Sequence, residues 1–345
     1  MLSVYTLEQS KQWDEIVCSF SEYDTYWLSG YVKAFKVHGD GEPLLFFYEG
    51  NNVRGINVVM KRDIAEDKNF RNKLLSGRYY DFATPYGYGG WIIEGDNLDE
   101  LFTSYEKWCM ENGIVSEFVR FHPILKNHEY LLNRYDVLGL GNTVSLDLTS
   151  PEIIWENITS KNRNVIRKAQ KNGIEIRIGK SAELYEIFRE IYNFTMDKDN
   201  ADKYYYFSPE FYDSIRVDLD KNAQIFCAVL NEKVIAAAIM LIANGRMNYH
   251  LSGSIREYSN LAPTNLILYE AALWGCENGC KTLYLGGGVG SAEDGLFKFK
   301  KSFYRKDDLP RFYIGKKVIN KEKYNELLIL RDDLLESGFF PQYRG

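Results

Sequence analysis

The sequence has no long apolar run, and this absence excludes one class of protein. No stretch of its 345 residues approaches the ~18 consecutive apolar residues of a membrane-spanning helix. The N-terminal segment MLSVYTLEQSKQWDE also lacks a basic start followed by an apolar core, so we expect no signal peptide. We therefore expect a cytoplasmic protein, either free or peripheral to the inner face of the membrane.

Cysteine, histidine and the common nucleotide-binding motifs are equally sparse. The five cysteines and four histidines are scattered, and Cys276 and Cys280 lie four residues apart on a predicted helix. Because zinc sites use other spacings and need further ligands, we expect no metal centre. The sequence contains no Walker loop, no GxGxxG motif after a strand and no nucleophile elbow. Phosphoryl, hydride and glycosyl transfer therefore have no local support.

Charge and aromatic content set broader limits. The net charge is −6, which argues against a general nucleic-acid coat but leaves a local basic patch open. The 26 tyrosines are compatible with a wet cleft for a polar substrate and equally with half-buried surface packing. The length favours two domains over one.

Two segments of the chain repeat each other. SYEKWCMENGIVSEFVRF begins at Ser104 and EAALWGCENGCKTLYLGG begins at Glu270, so that their tryptophans and their Glu-Asn-Gly triplets align. Each segment reads as a helix that ends at glycine and is followed by a strand. An apolar hairpin precedes each of them, at 42–63 and at 223–245. We therefore predict one α/β unit used twice, with a boundary near Ser150-Pro151.

A strongly basic helix follows this boundary. Residues 161–172 contain five basic residues and no acidic one, Thr159 or Ser160 can cap the start, and Gly173 can end the helix. The pattern indicates either a solvated charged face or a contact with an anionic ligand such as tRNA. The candidate contact residues are Arg163, Arg167 and Lys168.

Four motifs together resemble the FemABX family, the aminoacyl-transfer enzymes that build peptidoglycan side bridges. They are DFATPYGYGG, the basic helix, NYHLSGSIREYSNLAPTNLILYEAALWGCENG and LYLGGGVGSAEDGLFKFKKSF, and they occur in family order along the whole chain. The resemblance implies two tandem GNAT-like domains, 1–150 and 151–345, each a mixed and mainly antiparallel sheet flanked by helices. Some family members carry a long helical hairpin in the second domain, and residues 178–223 leave no room for it.

The segment GLFKFKKSF is the main catalytic candidate. Phenylalanine and lysine alternate from Phe297 to Lys300, and this period of two predicts a strand with opposite apolar and basic faces. Taken alone, the pattern also describes a strand edge protected by lysines. In the family, the lysine of a Phe-Lys pair stabilises the charge that develops on the reacting carbonyl. By position this pair is Phe299 and Lys300.

Two glycine-rich or helix-opening segments are candidates for donor binding. Consecutive glycines let a backbone approach a ligand closely, and the start of a helix favours anions. We expect Ser259 or Asn260 to cap the helix that Pro263 opens. The Gln/Arg-x-x-Gly-x-Gly/Ala signature of acetyl-coenzyme A enzymes is missing, and His250 on the preceding strand is expected to be a core residue. The donor-site candidates are Asn260, Leu261, Ala262, Thr264, Gly286, Gly287 and Gly288.

The tyrosine-rich loop YYDFATPYGYGG holds the place in the first half that SNLAPT holds in the second. Its glycines would let a bulky ligand lie against the backbone, and its tyrosines offer hydroxyls and flat faces to a sugar. Lys33 and Lys36 lie on a predicted helix upstream. Family members use a lysine in this region to hold the acceptor's phosphate, and of the two we choose Lys36. The acceptor-site candidates are Lys36, Tyr86, Gly87, Tyr88, Lys203 and Tyr206.

These observations predict an acyltransferase that modifies an amine of a cell-envelope precursor, either of peptidoglycan or of a surface polysaccharide. The acceptor would be nucleotide-linked or lipid-linked, and the donor would be aminoacyl-tRNA or acetyl-coenzyme A, without a tightly bound cofactor. Two alternatives remain open: an acetyl-coenzyme A-dependent N-acyltransferase of an amino sugar, and an inactive protein of the same fold that binds precursors. We expect a monomer or a weak dimer, with tRNA as a candidate partner.

Overall fold

The computed structural model describes residues 1–331 and 338–345 and divides the chain into two compact units. Unit 1 consists of Met1–Leu140 and Phe312–Gly345, and unit 2 consists of Gly141–Arg311. The division differs from the expected one in two ways. The first boundary falls at Leu140 rather than near Ser150, and the last segment of the chain folds within unit 1 rather than with the second half.

The chain combines runs of consecutive strands with single helices and pairs of helices. The strands are β1 (Leu2–Tyr5), β2 (Glu42–Gly50), β3 (Val53–Asp63), β4 (Tyr80–Ala83), β5 (Ile92–Gly95), β6 (Ile114–Arg120), β7 (Asp136–Asn142), β8 (Val144–Asp147), β9 (Glu175–Gly179), β10 (Ala223–Leu230), β11 (Lys233–Ala243), β12 (Arg246–Ser254), β13 (Thr282–Gly286) and β14 (Arg311–Val318). The helices are α1 (Ser10–Cys18), α2 (Ser29–His38), α3 (Leu98–Glu111), α4 (Pro151–Asn157), α5 (Ser160–Lys171), α6 (Ala182–Lys198), α7 (Pro209–Asp218), α8 (Pro263–Glu277), α9 (Gly295–Lys301) and α10 (Lys321–Ile329).

Each unit is built on one mixed sheet. In unit 1 the strand order is β1-β2-β3-β4-β6-β14-β7, with β5 paired to β3. In unit 2 the order is β8-β13-β12-β11-β10-β9. Most neighbouring strands are antiparallel, but β4 runs parallel to β6 and β12 runs parallel to β13. A helix connects the two strands of each parallel pair, α3 in unit 1 and α8 in unit 2, so the predicted repeat and the α/β class are confirmed.

The last strand explains why the chain returns to unit 1. β14 pairs antiparallel with β6, with Ile314 opposite Arg120 and Val318 opposite Ser116. Tyr343 then lies fully buried, and its hydroxyl hydrogen-bonds to Ser116 at 2.8 Å. The sequence places this strand after the second repeat, so order along the chain alone does not reveal its partner.

The repeated tryptophan and asparagine have the same local role in both units. Asn112 donates its side-chain amide to the carbonyl of Trp108 at 2.8 Å, and Asn278 donates to the carbonyl of Trp274 at the same distance. Each of these carbonyls lies in the last helical turn and also accepts the backbone N–H of the same asparagine, at 3.0 and 2.9 Å. The aligned triplet is therefore a helix-ending motif.

The repeated glycines and the tryptophan rings also have matching roles where each helix meets its sheet. Gly113 and Gly279 adopt left-handed conformations, with φ of 70° and 76°, which glycine reaches without steric cost. The tryptophan of each helix packs edge-on against a phenylalanine of the first hairpin strand, Phe46 in unit 1 and Phe226 in unit 2. These contacts fix each helix against its sheet.

The predicted strand around Lys300 is wrong, because residues 295–301 form helix α9. Asp294 caps this helix, with its side chain accepting a hydrogen bond from the Phe297 N–H at 2.8 Å. Phe299 and Phe303 lie four residues apart and pack edge-on at 5.7 Å, as side chains at this spacing do on a helix. The alternation of phenylalanine and lysine over four residues fits both a strand and a helix. The Asp294 cap favours the helix.

The helix ends before and after this region also differ in part from expectation. Thr159 caps α5 as one of the two predicted residues, and Gly173 follows that helix with φ of 76°. Neither Ser259 nor Asn260 caps α8. Its cap is Ala262, a left-handed residue with φ of 55° whose side chain makes no capping bond. Among the helices of the described residues, none is long and apolar enough to cross a membrane.

Candidate active site

Two parallel strands part in the middle of unit 2. β12 and β13 pair over three residues, and the ladder ends where Asn248 lies opposite Tyr284. β12 carries a bulge at this point, because Leu251 faces Ile239 while Tyr249 faces Met240, which leaves His250 as the extra residue. A bulge bends its strand away from the neighbouring one. Strands that part in this way present main-chain groups along the gap, which an extended ligand can bind.

The N-terminus of α8 opens at the same end of this gap. The helix follows β12 and begins at Pro263, directly after the left-handed Ala262. The N–H groups of a first helical turn carry a partial positive charge and favour anions. Asn260 and Leu261 lie in the short 3₁₀ helix that leads into this point, and Thr264 is half-buried in the first turn. Four of the predicted donor residues thus lie at or just before the start of α8.

The glycine-rich loop after β13 is a packed structure. A Cβ on Gly288 would lie 2.1 Å from the Ala292 carbonyl oxygen and 2.4 Å from Asp294 Oδ1. Asp294 Oδ2 accepts a hydrogen bond from the Val289 N–H at 3.1 Å. Gly286 is left-handed, with φ of 78°. One carboxylate therefore holds the loop and starts α9 together.

Lys300 is the buried cation of this region, with 9% of its surface exposed. Its ammonium donates to the carbonyl of Gly287 at 2.8 Å. Burial lowers the pKa of Lys300 from 10.5 to about 8, against the opposing effect of the Asp294 carboxylate. Within residues 1–331 and 338–345, this is the side chain's one hydrogen bond, and an ammonium has three donors. Two protons therefore remain for a ligand at the end of β13, where the strands part.

Phe299 has a packing role beside Lys300. Its half-buried ring lies against the hydrophobic core of unit 2 and contacts Phe303. We therefore regard Phe299 as a residue that positions α9, while the lysine next to it carries the charge.

The basic helix α5 presents two arginines on an aromatic surface. The guanidinium carbons of Arg163 and Arg167 lie 5.9 and 5.0 Å from the ring centroid of Trp155. Trp155 in turn lies 5.1 Å from the ring of Tyr269. Cations over an aromatic face gain modest stabilisation while they stay accessible. Lys168 is exposed on the same helix.

Hydrogen bonds tie the start of α5 to the rest of the site. The N–H and the hydroxyl of Thr159 both donate to the carbonyl of Ser302, at 3.0 and 3.1 Å, at the end of α9. Asn265 in the first turn of α8 donates to Asn162 of α5 at 2.8 Å. The three helices therefore begin or end next to one another.

In unit 1, the tyrosine-rich loop is held by its neighbours on both sides. The Tyr31 hydroxyl donates to the Tyr86 carbonyl at 2.5 Å, and Arg120 Nε donates to the Gly87 carbonyl at 2.9 Å. Gly87 has φ of 95°, and a Cβ there would lie 2.5 Å from the ring of Tyr26. Glycine is therefore required at this position, and Tyr86 and Tyr88 stay half-buried on either side.

A buried His–Asp pair lies behind this loop, and the sequence did not predict it. His122 Nε2 is 3.1 Å from Asp24 Oδ2, and both side chains are fully buried. His122 Nδ1 accepts from the N–H groups of Ile124 and Leu125, which assigns the proton to Nε2. The ring of Tyr88 lies 5.4 Å from the imidazole. The pair acts as a support for the loop, because both ring nitrogens are occupied.

The other predicted acceptor residues are placed at the surface. Lys36 is exposed on α2, and its Nζ lies 2.6 Å from Glu42 Oε2. In unit 2, Lys203 is exposed in the one-turn helix Lys203–Tyr205. The Tyr206 hydroxyl donates to Asp197 at 2.7 Å. An exposed ion pair such as that of Lys36 contributes little stability and exchanges readily for another anion.

Comparison with known proteins identifies the fold. Residues 160–301 match the family described as acetyltransferase (GNAT) domain, and no curated protein matches the chain. The chain resembles the crystal structure of FemX, with a TM-score of 0.67 and 15% identity over 96% of this chain and 100% of that one.

Two other solved structures share this fold over most of their length. A conserved protein of unknown function from Bacteroides thetaiotaomicron has a TM-score of 0.59 and 12% identity over 92% of this chain and 99% of that one. The C-terminal domain of a putative lysylphosphatidylglycerol synthetase from Agrobacterium fabrum has a TM-score of 0.55 and 14% identity over 94% of each chain. At these identities the likeness concerns the fold.

Proposed function

We propose that this chain, an acyltransferase with the GNAT fold, moves an acyl or aminoacyl group onto an amine of a cell-envelope precursor. The observation that carries the proposal is the placement of Lys300. A largely desolvated ammonium, fixed by one carbonyl, stands at the end of two strands that part beside a helix N-terminus. Acyl transfer needs a donor aimed at an oxygen that becomes negative.

The chemistry follows from that charge. The neutral amine of the acceptor attacks the donor carbonyl carbon, a C–N bond forms, and the carbonyl oxygen becomes anionic. The two remaining N–H donors of Lys300 stabilise this oxygen. Collapse of the intermediate breaks the C–O bond of aminoacyl-tRNA or the C–S bond of an acyl-coenzyme A, and the leaving oxygen or sulfur takes up a proton from water. The amine's proton leaves to water or to a phosphate of the acceptor.

The donor binds along unit 2 in this proposal. Its phosphates meet the first turn of α8 at Ala262 and Thr264, and the acyl chain lies in the gap between β12 and β13. The glycine loop 286–288 lines the site next to the reacting carbonyl of the donor. If the donor is aminoacyl-tRNA, Arg163 and Arg167 contact its backbone, because α5 begins next to both α8 and α9.

The acceptor binds through hydroxyls and aromatic faces. The loop of Tyr86, Gly87 and Tyr88 offers both and is held rigidly, which suits a sugar or a nucleotide-linked sugar. Lys36 can exchange Glu42 for an acceptor phosphate. Lys203 and Tyr206 are further candidates for acceptor contacts. We propose a cytoplasmic enzyme that acts as a monomer or a weak dimer.

Acetyl-coenzyme A is the second candidate donor, and the uncapped start of α8 favours it. With that donor, the enzyme would N-acylate an amino sugar of a surface polysaccharide. A protein of the same fold that only binds precursors would bind acceptors without turnover.

A thermal-shift screen separates these possibilities. The chain is mixed in turn with aminoacyl-tRNA, acetyl-coenzyme A and a nucleotide-linked muramyl peptide. We expect aminoacyl-tRNA and the muramyl peptide to raise the melting temperature, because ligands that bind the folded state stabilise it. Stabilisation by acetyl-coenzyme A alone would show that the donor is acetyl-coenzyme A and would contradict the aminoacyl-tRNA proposal.

The same tRNA complex tests the two arginines. Its affinity should fall steeply with salt. In the Arg163→Gln/Arg167→Gln variant the negative slope of log affinity against log salt should become shallower by about 1.5. Lys171→Gln, an exposed change on the same helix, serves as the control. An unchanged slope in the arginine variant would mean that these arginines form a solvated face and do not contact tRNA.

A further inference from the structure

Residues 338–345 place an aromatic and a basic side chain inside unit 1. Tyr343 is fully buried, and the side chain of Arg344 is largely buried beside it. The Tyr343 ring packs edge-on against Phe70 and Tyr324, with 6.0 and 5.2 Å between ring centroids. These contacts anchor the segment in a small hydrophobic cluster of unit 1.

The Tyr343 hydroxyl bridges two neighbouring strands of the sheet. It donates to Asp81 Oδ2 on β4 at 3.1 Å and lies 2.8 Å from the Ser116 hydroxyl on β6. Since a carboxylate only accepts, the Ser116 hydroxyl donates to Tyr343. Asp81 and Ser116 are also opposite each other in the parallel β4–β6 ladder, and both are fully buried. One side chain, 262 residues along the chain from Asp81, therefore ties this strand pair together.

Arg344 holds the same carboxylate from a second direction. Its Nε donates to Asp81 Oδ2 at 2.5 Å, and Arg62 Nε donates to the other carboxylate oxygen at 2.7 Å. Arg344 also pairs with Asp67 at 3.1 Å. Because a buried carboxylate is costly when it loses a charged partner, this arrangement favours one position for Asp81 and for the strand that carries it.

The bridge lies where the β4–β6 ladder is irregular. Between the pairs Tyr80–Ile114 and Asp81–Ser116, β6 has one residue more than β4. That extra residue is Val115, and an extra residue disrupts the main-chain pairing around it. The side-chain bridge therefore joins the two strands at a point where their ladder is weak.

The tyrosine-rich loop begins directly after this strand pair. The Thr84 N–H donates to the Phe118 carbonyl at 3.1 Å, and the Gly89 N–H donates to the Arg120 carbonyl at 2.9 Å. Both ends of the loop are therefore tied to the end of β6. A shift of β4 along β6 would move these bonds and the segment Tyr86–Tyr88 between them.

The parallel pair of unit 2 has a different course. β12 and β13 pair over three residues and then part, whereas β4 and β6 stay paired until the loop begins. Residues 338–345 fasten the pair of unit 1, which leads into a fixed loop rather than into a gap.

We propose that Tyr343 and Arg344 are positioning residues for the acceptor site. They clip β4 to β6 and thereby hold the loop of Tyr86 to Tyr88 in the form that receives the acceptor, without touching the acceptor themselves. This inference rests on the acceptor role proposed above for the loop, but the clip itself can be measured without any substrate.

Amide hydrogen exchange in Tyr343→Phe tests the clip, because this change removes the bridging hydroxyl and keeps the ring. The Thr84 and Gly89 amides should exchange about tenfold faster, since the loop opens more often once β4 is released. Amides of the β2–β3 ladder should keep their rates, because the unit as a whole stays folded. The control is Tyr48→Phe, which removes the hydroxyl of another buried tyrosine of unit 1, bonded to Glu100. It should leave the Thr84 and Gly89 rates unchanged.

Steady-state kinetics with a nucleotide-linked muramyl peptide tests the positioning role. In Tyr343→Phe the acceptor KM should rise about fivefold, while kcat and the donor KM stay at their wild-type values. Lys300 lies in unit 2 and is not connected to the clip. A change that only destabilised the fold would reduce the amount of active enzyme and lower the apparent kcat, with the acceptor KM unchanged.

Ser116→Ala removes the β6 end of the bridge and should show the same pattern, so it takes the place of Tyr343→Phe if that variant does not fold. Unchanged exchange at Thr84 and Gly89 would overturn the clip, whatever the acceptor is. Equal acceleration in Tyr48→Phe would mean a general loss of stability and would overturn it as well. Faster exchange with an unchanged acceptor KM would confirm the clip and would contradict the acceptor role of the loop.

Discussion

Lys300→Met should lower kcat/KM by a factor of about 10²–10³, the usual effect of removing one donor to a developing oxyanion. The same substitution should make the protein more stable. Burial lowers the pKa of Lys300 to about 8, so below that pH the folded protein holds a charged group that it has largely removed from water. The difference from 10.5 corresponds to about 3 kcal/mol.

Part of this gain is offset. Lys300→Met loses the hydrogen bond to Gly287, worth about 1 kcal/mol, but that residue is half-exposed and water can replace the donor. We therefore expect a net increase of about 2 kcal/mol in the free energy of unfolding. The increase should be complete below pH 8 and should reverse to a loss of about 1 kcal/mol toward pH 10.5, because the lysine of the wild type is then neutral in both states and only the lost hydrogen bond remains.

Lys298→Met provides the matched control, since Lys298 is exposed on the same helix. Activity and melting temperature should both stay near the wild-type values. If Lys300→Met instead lowered the melting temperature and left kcat/KM intact, Lys300 would be a clamp that holds the glycine loop and would have no catalytic role.

Gly288→Ala is the second large effect that the structure predicts. The new Cβ would collide with the Ala292 carbonyl and the Asp294 carboxylate. Asp294 both holds the loop and caps α9, so its displacement moves the helix that carries Lys300. A shift of about 1 Å at a reacting group can cost about a hundredfold in rate. We expect a loss of this size in kcat/KM with the chain still folded by circular dichroism.

Gly295→Ala is the control for this change. A Cβ on Gly295 meets nothing within 4 Å, and the residue lies at the first position of α9. Alanine there should leave kcat/KM unchanged. Equal losses in the two variants would mean that the loop tolerates no change at all, and equal activity would mean that its geometry does not position Lys300.

The sequence predicted the fold best where a short motif has a direct structural role. The Trp, Asn and Gly of each repeat identify a helix end. The asparagine side chain bonds to a carbonyl of the last turn, and the glycine adopts the left-handed conformation that follows the helix. This was enough to find the repeated unit and its parallel strand pair. The partner of β14 depends on packing between segments that are distant in the sequence, and no local pattern specifies it.

The candidate site was predicted in part for the same reason. The glycine loop and Lys300 adjoin each other in unit 2, although the strand expected for Lys300 is a helix. Asp24 and His122 were missed because they are far apart in the chain and each resembles an ordinary loop residue. The shortage of histidine in the sequence was a usable signal for His122, since a rare buried histidine near a tyrosine-rich loop needs a partner.

The pH dependence of kcat/KM for wild type and Lys300→Arg tests the central claim most directly. Arginine stays charged well above pH 12, so the ratio of wild type to variant cancels the titration of the acceptor amine. If the Lys300 ammonium stabilises the oxyanion, this ratio should be constant below the pKa of about 8 and fall about tenfold per pH unit above it. A ratio that stays flat from about pH 6 to about pH 10, or that rises through pH 8, would contradict the account.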